Sequence, residues 1–135
     1  MSTTTADDII AVLESRHTSG LSWSERQILL TDSGVEEWSG RVGLPRGDLY
    51  DALALRLAFG FHSNALDFDF CDQVVNELHA VITHRNEDRP ALFWSVFLAF
   101  DAGEYYRDGN RSIDPVEAYT RPQIAQIVQR HIPGR

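Results

Sequence analysis

Residues 45–61 read PRGDLYDALALRLAFGF, and this stretch decides the fold. Leu49, Leu53, Leu57 and Phe61 recur every four residues along one side. Tyr50, Ala54, Leu55 and Ala58 make the other sides apolar as well. A helix that is apolar nearly all round must be surrounded, so this one lies at the centre of a helical domain. The fold class that follows is all-α: a compact helical bundle of about six to seven helices, in a single domain over 1–135.

Start signals recur on both sides of this helix. Thr5-x-x-Asp8, Ser22-x-x-Glu25, Ser33-x-x-Glu36, Asp48-x-x-Asp51, Asp114-Pro115-x-Glu117 and Thr120-x-Pro122-Gln123 each set a capping oxygen ahead of an acid or Gln. Such pairs satisfy backbone donors that a first helical turn leaves open. Helices are therefore expected over 6–17, 23–31, 34–42, 45–61, 70–84, 90–107 and 121–131, with a short turn from Pro115. In the first, Ile9, Val12 and Leu13 face inward. Gly43 sits where a left-handed cap belongs. Asp67 to Phe70 alternates like a strand over only four residues and is read as a loop. The 70–84 helix buries Phe70, Val74, Val75, Leu78 and Ile82, with Asp72, Gln73, Asn76 and Thr83 on the opposite, polar side.

Composition narrows the function. The 135 residues are 43% hydrophobic, enough for a core, and carry a formal charge of −8. All twelve basic residues are Arg, a bias that points to a GC-rich bacterial source. An acidic surface repels phosphate backbones and anionic lipid headgroups, so the expected partner is a basic protein, not nucleic acid or a membrane. The one cysteine, Cys71, excludes an intrachain disulfide and a cysteine-based zinc cluster. The acidic N-terminus is unlike a secretory leader. The longest apolar run, 91–100, would span about 15 Å of helix, half of a bilayer. A cytoplasmic protein is expected.

Motifs for chemistry are sparse. There is no Gly-x-Ser-x-Gly elbow and no phosphate-binding glycine loop. Cys71 lies between Asp69 and Asp72, whose charge opposes a thiolate. Asp72, Glu77, His79 and His84 lack the Glu-x-x-His or His-x-x-x-His spacing of helical metal sites, and His79 borders the apolar stripe as a core-edge residue. No catalytic residue, metal or cofactor is assigned. The segment Val35 to Leu53, with its Gly43-Leu44-Pro45 turn, resembles the helix-turn-helix unit of bacterial repressors. Its second helix, however, sets Arg46 and Arg56 against Asp48 and Asp51 and has no basic face.

The strongest candidate is the end of the 90–107 helix. Asp101, Glu104 and Asp108 share one face there, with Tyr105 and Tyr106 among them. Acids near a helix C-terminus oppose the macrodipole at about 0.3–1 kcal/mol each. Tyr105-Tyr106, Asn110-Arg111 and Pro115 resemble the short third-helix region of the colicin DNase immunity proteins. The resemblance covers about a dozen positions, and the proline that normally follows the tyrosine pair is missing. It implies a tyrosine pair that anchors an acidic helical scaffold against a basic nuclease. The reading is a non-enzymatic interaction module that docks or masks a basic partner. Its binding set is Asp101, Glu104, Tyr105, Tyr106 and Asp108, with Arg111 orienting the loop. Two alternatives are a small-molecule binder or enzyme with a pocket between the central helices and Asp101 or Glu104 at its mouth, and a degenerate helix-turn-helix regulator. The dense aromatics Phe59, Phe61, Phe68, Phe70, Phe93, Trp94, Phe97 and Phe100 are expected in the core; several of them exposed would point to a homodimer.

Overall fold

The computed structural model describes residues 4–18, 20–22 and 24–132; the side chain of Asp108 lies outside the described set, as does Trp23. Six α-helices follow one another: α1 Ala6–Arg16, α2 Asp32–Val42, α3 Arg46–His62, α4 Phe68–His84, α5 Ala91–Asp101 and α6 Arg121–Arg130. A 3₁₀ turn, Arg107–Gly109, and a π-helical turn, Val116–Thr120, lie between α5 and α6. No strand occurs among the described residues. The protein is an all-α bundle, with α3 at its centre in contact with every other helix. Leu49, Tyr50, Leu53, Ala54, Leu57, Ala58 and Phe61 of α3 are all buried.

The aromatics build the core around it. Phe61, Phe70, Phe93, Phe97 and Phe100 are buried, while Phe59, Phe68 and Trp94 are half-buried. Phe61 meets Phe100 edge-on at a centroid distance of 5.4 Å. Burial of each such ring contributes about 1.5–3 kcal/mol.

Local capping chemistry follows the sequence at some helix ends and departs from it at others. Thr5 and Asp8 form a reciprocal capping box: each side chain accepts the other's backbone N–H, at 3.2 and 2.9 Å. Gly43 closes α2 with φ of +79°, a backbone conformation that suits glycine. α2 begins at Asp32 under Thr31, whose hydroxyl accepts the Gly34 N–H at 3.2 Å, so Ser33 is not its cap. Asp67 accepts the Phe70 N–H at 2.8 Å, which makes 67–70 the start of α4 instead of a loop. α5 follows Pro90 and has no local side-chain cap. Its Phe93 N–H donates across the bundle to Asp51 of α3 at 2.8 Å.

Several expectations are corrected. Residues 24–31 are a turn and an irregular segment, not a helix. Glu77 of α4 accepts the N–H groups of Leu29 and Leu30 at 2.8 and 3.0 Å, and Gln73 donates to the Gln27 carbonyl at 2.9 Å. Arg16 of α1 donates to the Leu29 carbonyl at 2.8 Å. Groups that a helix would pair internally are thus taken by side chains from two other helices. For the same reason Gln73, expected on a polar face, is buried; Asp72, expected there too, is buried where α4 meets the end of α5. In α1 the inward residues are Ile9, Ile10 and Leu13, while Val12 is exposed. α5 stops at Asp101, six residues before the expected Arg107. Thr120 has helical backbone angles and does not cap α6; its buried hydroxyl donates to the Ala99 carbonyl at 2.7 Å.

Candidate functional site

The expected binding set forms one corner of the bundle, where the end of α5 runs along α4. In α4, Asp72 and Asn76 are one turn apart. The Asn76 amide donates to the Asp72 main-chain carbonyl at 2.7 Å, to its side-chain oxygen at 3.3 Å, and to Glu104 at 3.0 Å. Three acceptors thus converge on one amide group. Asp72 is 4% exposed, and its carboxyl is pushed up to about 9. Burial is the main cause, followed by the hydrogen bond and charge of Glu104 and the charge of Asp101, against the opposing charge of Arg26. At neutral pH Asp72 therefore keeps its proton. The Asp101 carboxyl also lies above its usual range, first from burial and then from Glu104, while Arg107 and His79 oppose the shift.

The chain leaves α5 through Ala102, Gly103 and Glu104. At Gly103 the backbone passes close to its neighbours. A Cβ there would collide with Thr120 Oγ1 and lie 2.8 Å from the Phe68 ring. This tight passage ends α5 and turns the next two side chains outward. Tyr105 is 54% exposed and Tyr106 42%. Arg107, not Arg111, organises the loop. Its guanidinium donates to the carbonyls of Ala102 and Tyr105 at 2.7 and 2.9 Å. It also lies between the rings of Tyr105 and Tyr119, at 4.1 and 3.8 Å from their centroids. Arg111 stacks on Tyr106 at 4.9 Å. Both exposed rings thus rest on cations, which limits the entropy either would lose on docking.

Asp101, Glu104, Tyr105, Tyr106 and Arg111 therefore fall in one region, and Asp72, Asn76 and Arg107 join them from outside the expected set. Asp72 was hidden because its burial depends on what α5 lays over it. Arg107 carried a readable signal: an arginine two residues beyond a tyrosine, in a loop with few other cations.

The other sequence motifs have structural roles. His79 packs on Phe97 and Trp94 at centroid distances of 4.6 and 5.6 Å. Glu77 holds the 24–31 segment. Among the described residues no three His, Cys, Asp or Glu side chains are grouped to hold a metal ion. Cys71 is buried, and its thiol is pushed up by burial and then by Asp67, Asp72 and Glu14, so it is no nucleophile at neutral pH. The second helix of the helix-turn-helix-like segment is α3, the core of the bundle. Its Arg46 is engaged by Asp32, Glu36 and Glu87, at 2.7 to 3.0 Å. A groove of about 640 Å³ lies between α1, α2 and residues 28–31, lined by Val12, Arg16, Ile28 and Trp38 among others. Neither Asp101 nor Glu104 borders it. No helix of the described residues is long and apolar enough to cross a membrane. The chain matches no protein-family model, no curated protein and no solved structure.

Proposed function

We propose that this chain is a non-enzymatic acidic interaction module that docks or masks a basic partner at the α4–α5 corner. One observation carries the reading. Among the described residues, Asp72, Asp101 and Glu104 form no ion pair, and they stand beside two exposed tyrosines. Several carboxylates elsewhere do have a cation: Asp32, Glu36 and Glu87 meet Arg46, Asp69 meets Arg26, Glu37 meets Arg41 and Glu117 meets Arg121. Asp101 and Glu104 disfavour each other's charge, and a further cation from a partner would ease that repulsion. Tyrosines supply large contact area with little rotamer entropy, the usual makeup of interface anchors. The acidic surface and the lone buried thiol are consistent with the cytoplasm as its setting.

The test is an NMR titration of the full chain with an octa-arginine peptide. Amide shifts should concentrate on residues 101–111 and on Asp72 and Asn76, and affinity should fall about tenfold between roughly 20 and 200 mM salt. The Y105A/Y106A double substitution should weaken binding with the fold intact. Shifts spread evenly over all acidic positions, or unchanged affinity in the double variant, would overturn the assignment.

A further inference from the structure

α5 has an unusual solvent face. From Ala91 to Phe100 it carries no charged residue. It buries Phe93, Val96, Phe97, Ala99 and Phe100, and leaves Ala91, Ser95 and Leu98 exposed, with Leu98 at 43%. Trp94 is half-buried on one flank of this face. A helix that meets only water normally carries charges on that side. Here the charges stand at the two ends instead. Arg89 precedes the helix, is exposed, and lies 4.0 Å over the Trp94 ring. Asp101 closes the helix on the same flank, since residues 94 and 101 are two turns apart. Among the described residues neither Arg89 nor Asp101 forms an ion pair.

Arg89 and Asp101 are equally far from Ser95 along the chain, six residues each way. We infer that a second copy of this chain docks on the exposed face of α5, antiparallel, with the two-fold axis at Ser95. That arrangement is self-complementary, as a two-fold interface must be. Arg89 of each copy faces Asp101 of the other, and Leu98 of each meets Leu92 of the other. The small side chains of Ala91 and Ser95 let the helix axes come close at the centre. A parallel pairing would set Arg89 on Arg89 and Asp101 on Asp101, so the charges also fix the direction. The core aromatics play no part in this argument, because they are packed inside the bundle. An eleven-residue helix is about 16 Å long, and its face is smaller than the roughly 800 Å² per partner of a standard interface. The dimer is therefore a weak one, with a dissociation constant on the order of 10–100 µM.

The inference stands apart from the basic-partner reading, sharing only Asp101 with it. Sedimentation equilibrium of the full chain over roughly 5–500 µM tests it. The mass should rise from 15.3 kDa toward twice that value. Ser95→Arg, at an exposed position, should abolish association, because it brings two cations together on the axis. Arg89→Asp and Asp101→Arg should each weaken it about tenfold, and the double exchange should restore it to within about threefold. Circular dichroism checks the fold of each variant, and Ser95→Arg with Arg89→Asp decides the matter if Asp101→Arg does not fold. A wild-type chain that stays monomeric throughout overturns the inference. So does a Ser95→Arg chain that still dimerises, or a charge exchange that rescues nothing. Ser95→Arg should leave the octa-arginine titration of the tyrosine loop unchanged, so failure of one reading is distinguishable from failure of the other.

Discussion

Replacing Asp72 by Asn should stabilise the protein at neutral pH, by an amount that grows with pH. The folded Asp72 carboxyl is raised from 3.8 to about 9, chiefly by burial and then by Glu104. A carboxyl raised in the folded state contributes stability that is fully present below its unfolded value and is lost as pH climbs toward the folded one. Each pH unit inside that window costs about 1.4 kcal/mol for one such group. From 3.8 to neutrality the loss reaches at most about 4 kcal/mol. The expected gain at neutral pH is on the order of a few kcal/mol. The substituted amide keeps the acceptor that Asn76 uses, offers Glu104 a permanent donor, and has no proton to lose. Urea unfolding of both proteins at several pH values reads the difference. It should be near zero at about pH 4, rise through neutrality, and level off above about pH 9. A gain of the same size at pH 4 and pH 8, or a loss at every pH, would refute the placement of Asp72 as a buried, proton-bearing group.

Two further outcomes follow from particular contacts. Gly103→Ala should cost about 1–3 kcal/mol, because its Cβ meets Thr120 and Phe68; thermal melting reads the loss, and near-ultraviolet dichroism should report the displaced tyrosines. Arg46→Ala should cost about 1–3 kcal/mol at neutral pH, since it leaves Glu87 with only the Tyr50 hydroxyl, which donates to it at 2.6 Å. Burial pushes Glu87 up, but hydrogen bonds from Arg46 and Tyr50 outweigh it and hold the carboxyl below its usual range. The wild-type advantage over Arg46→Ala should therefore be complete above the usual carboxylate range and vanish as pH falls below it, which acid unfolding followed by dichroism measures.

The helical class was legible because burial in a helix repeats every turn. Leu49, Leu53, Leu57 and Phe61 announce the central helix, and Gly43 and the Thr5–Asp8 box mark ends by chemistry confined to one turn. The tyrosine pair and its acids were legible as a cluster along the chain but not in their setting: α5 ends at Asp101, so Glu104 follows the helix instead of sharing a face of it. The 24–31 segment was not. Ser22 and Glu25 do bond to each other, at 2.6 Å, yet no helix follows, because Glu77 and Gln73 capture the backbone farther on.

Sequence by itself determined that the fold is helical, which helix is central, and that negative charge gathers near Tyr105 and Tyr106. Tertiary structure alone decided that Asp72 is buried under Glu104, that Asp51 of α3 caps α5, and that α5 keeps an uncharged face to solvent between Arg89 and Asp101. The division has a physical origin. Periodic burial and end capping depend on neighbours within a few residues, whereas the partner of a buried polar group, and the cover over a helix face, come from wherever the chain returns in space.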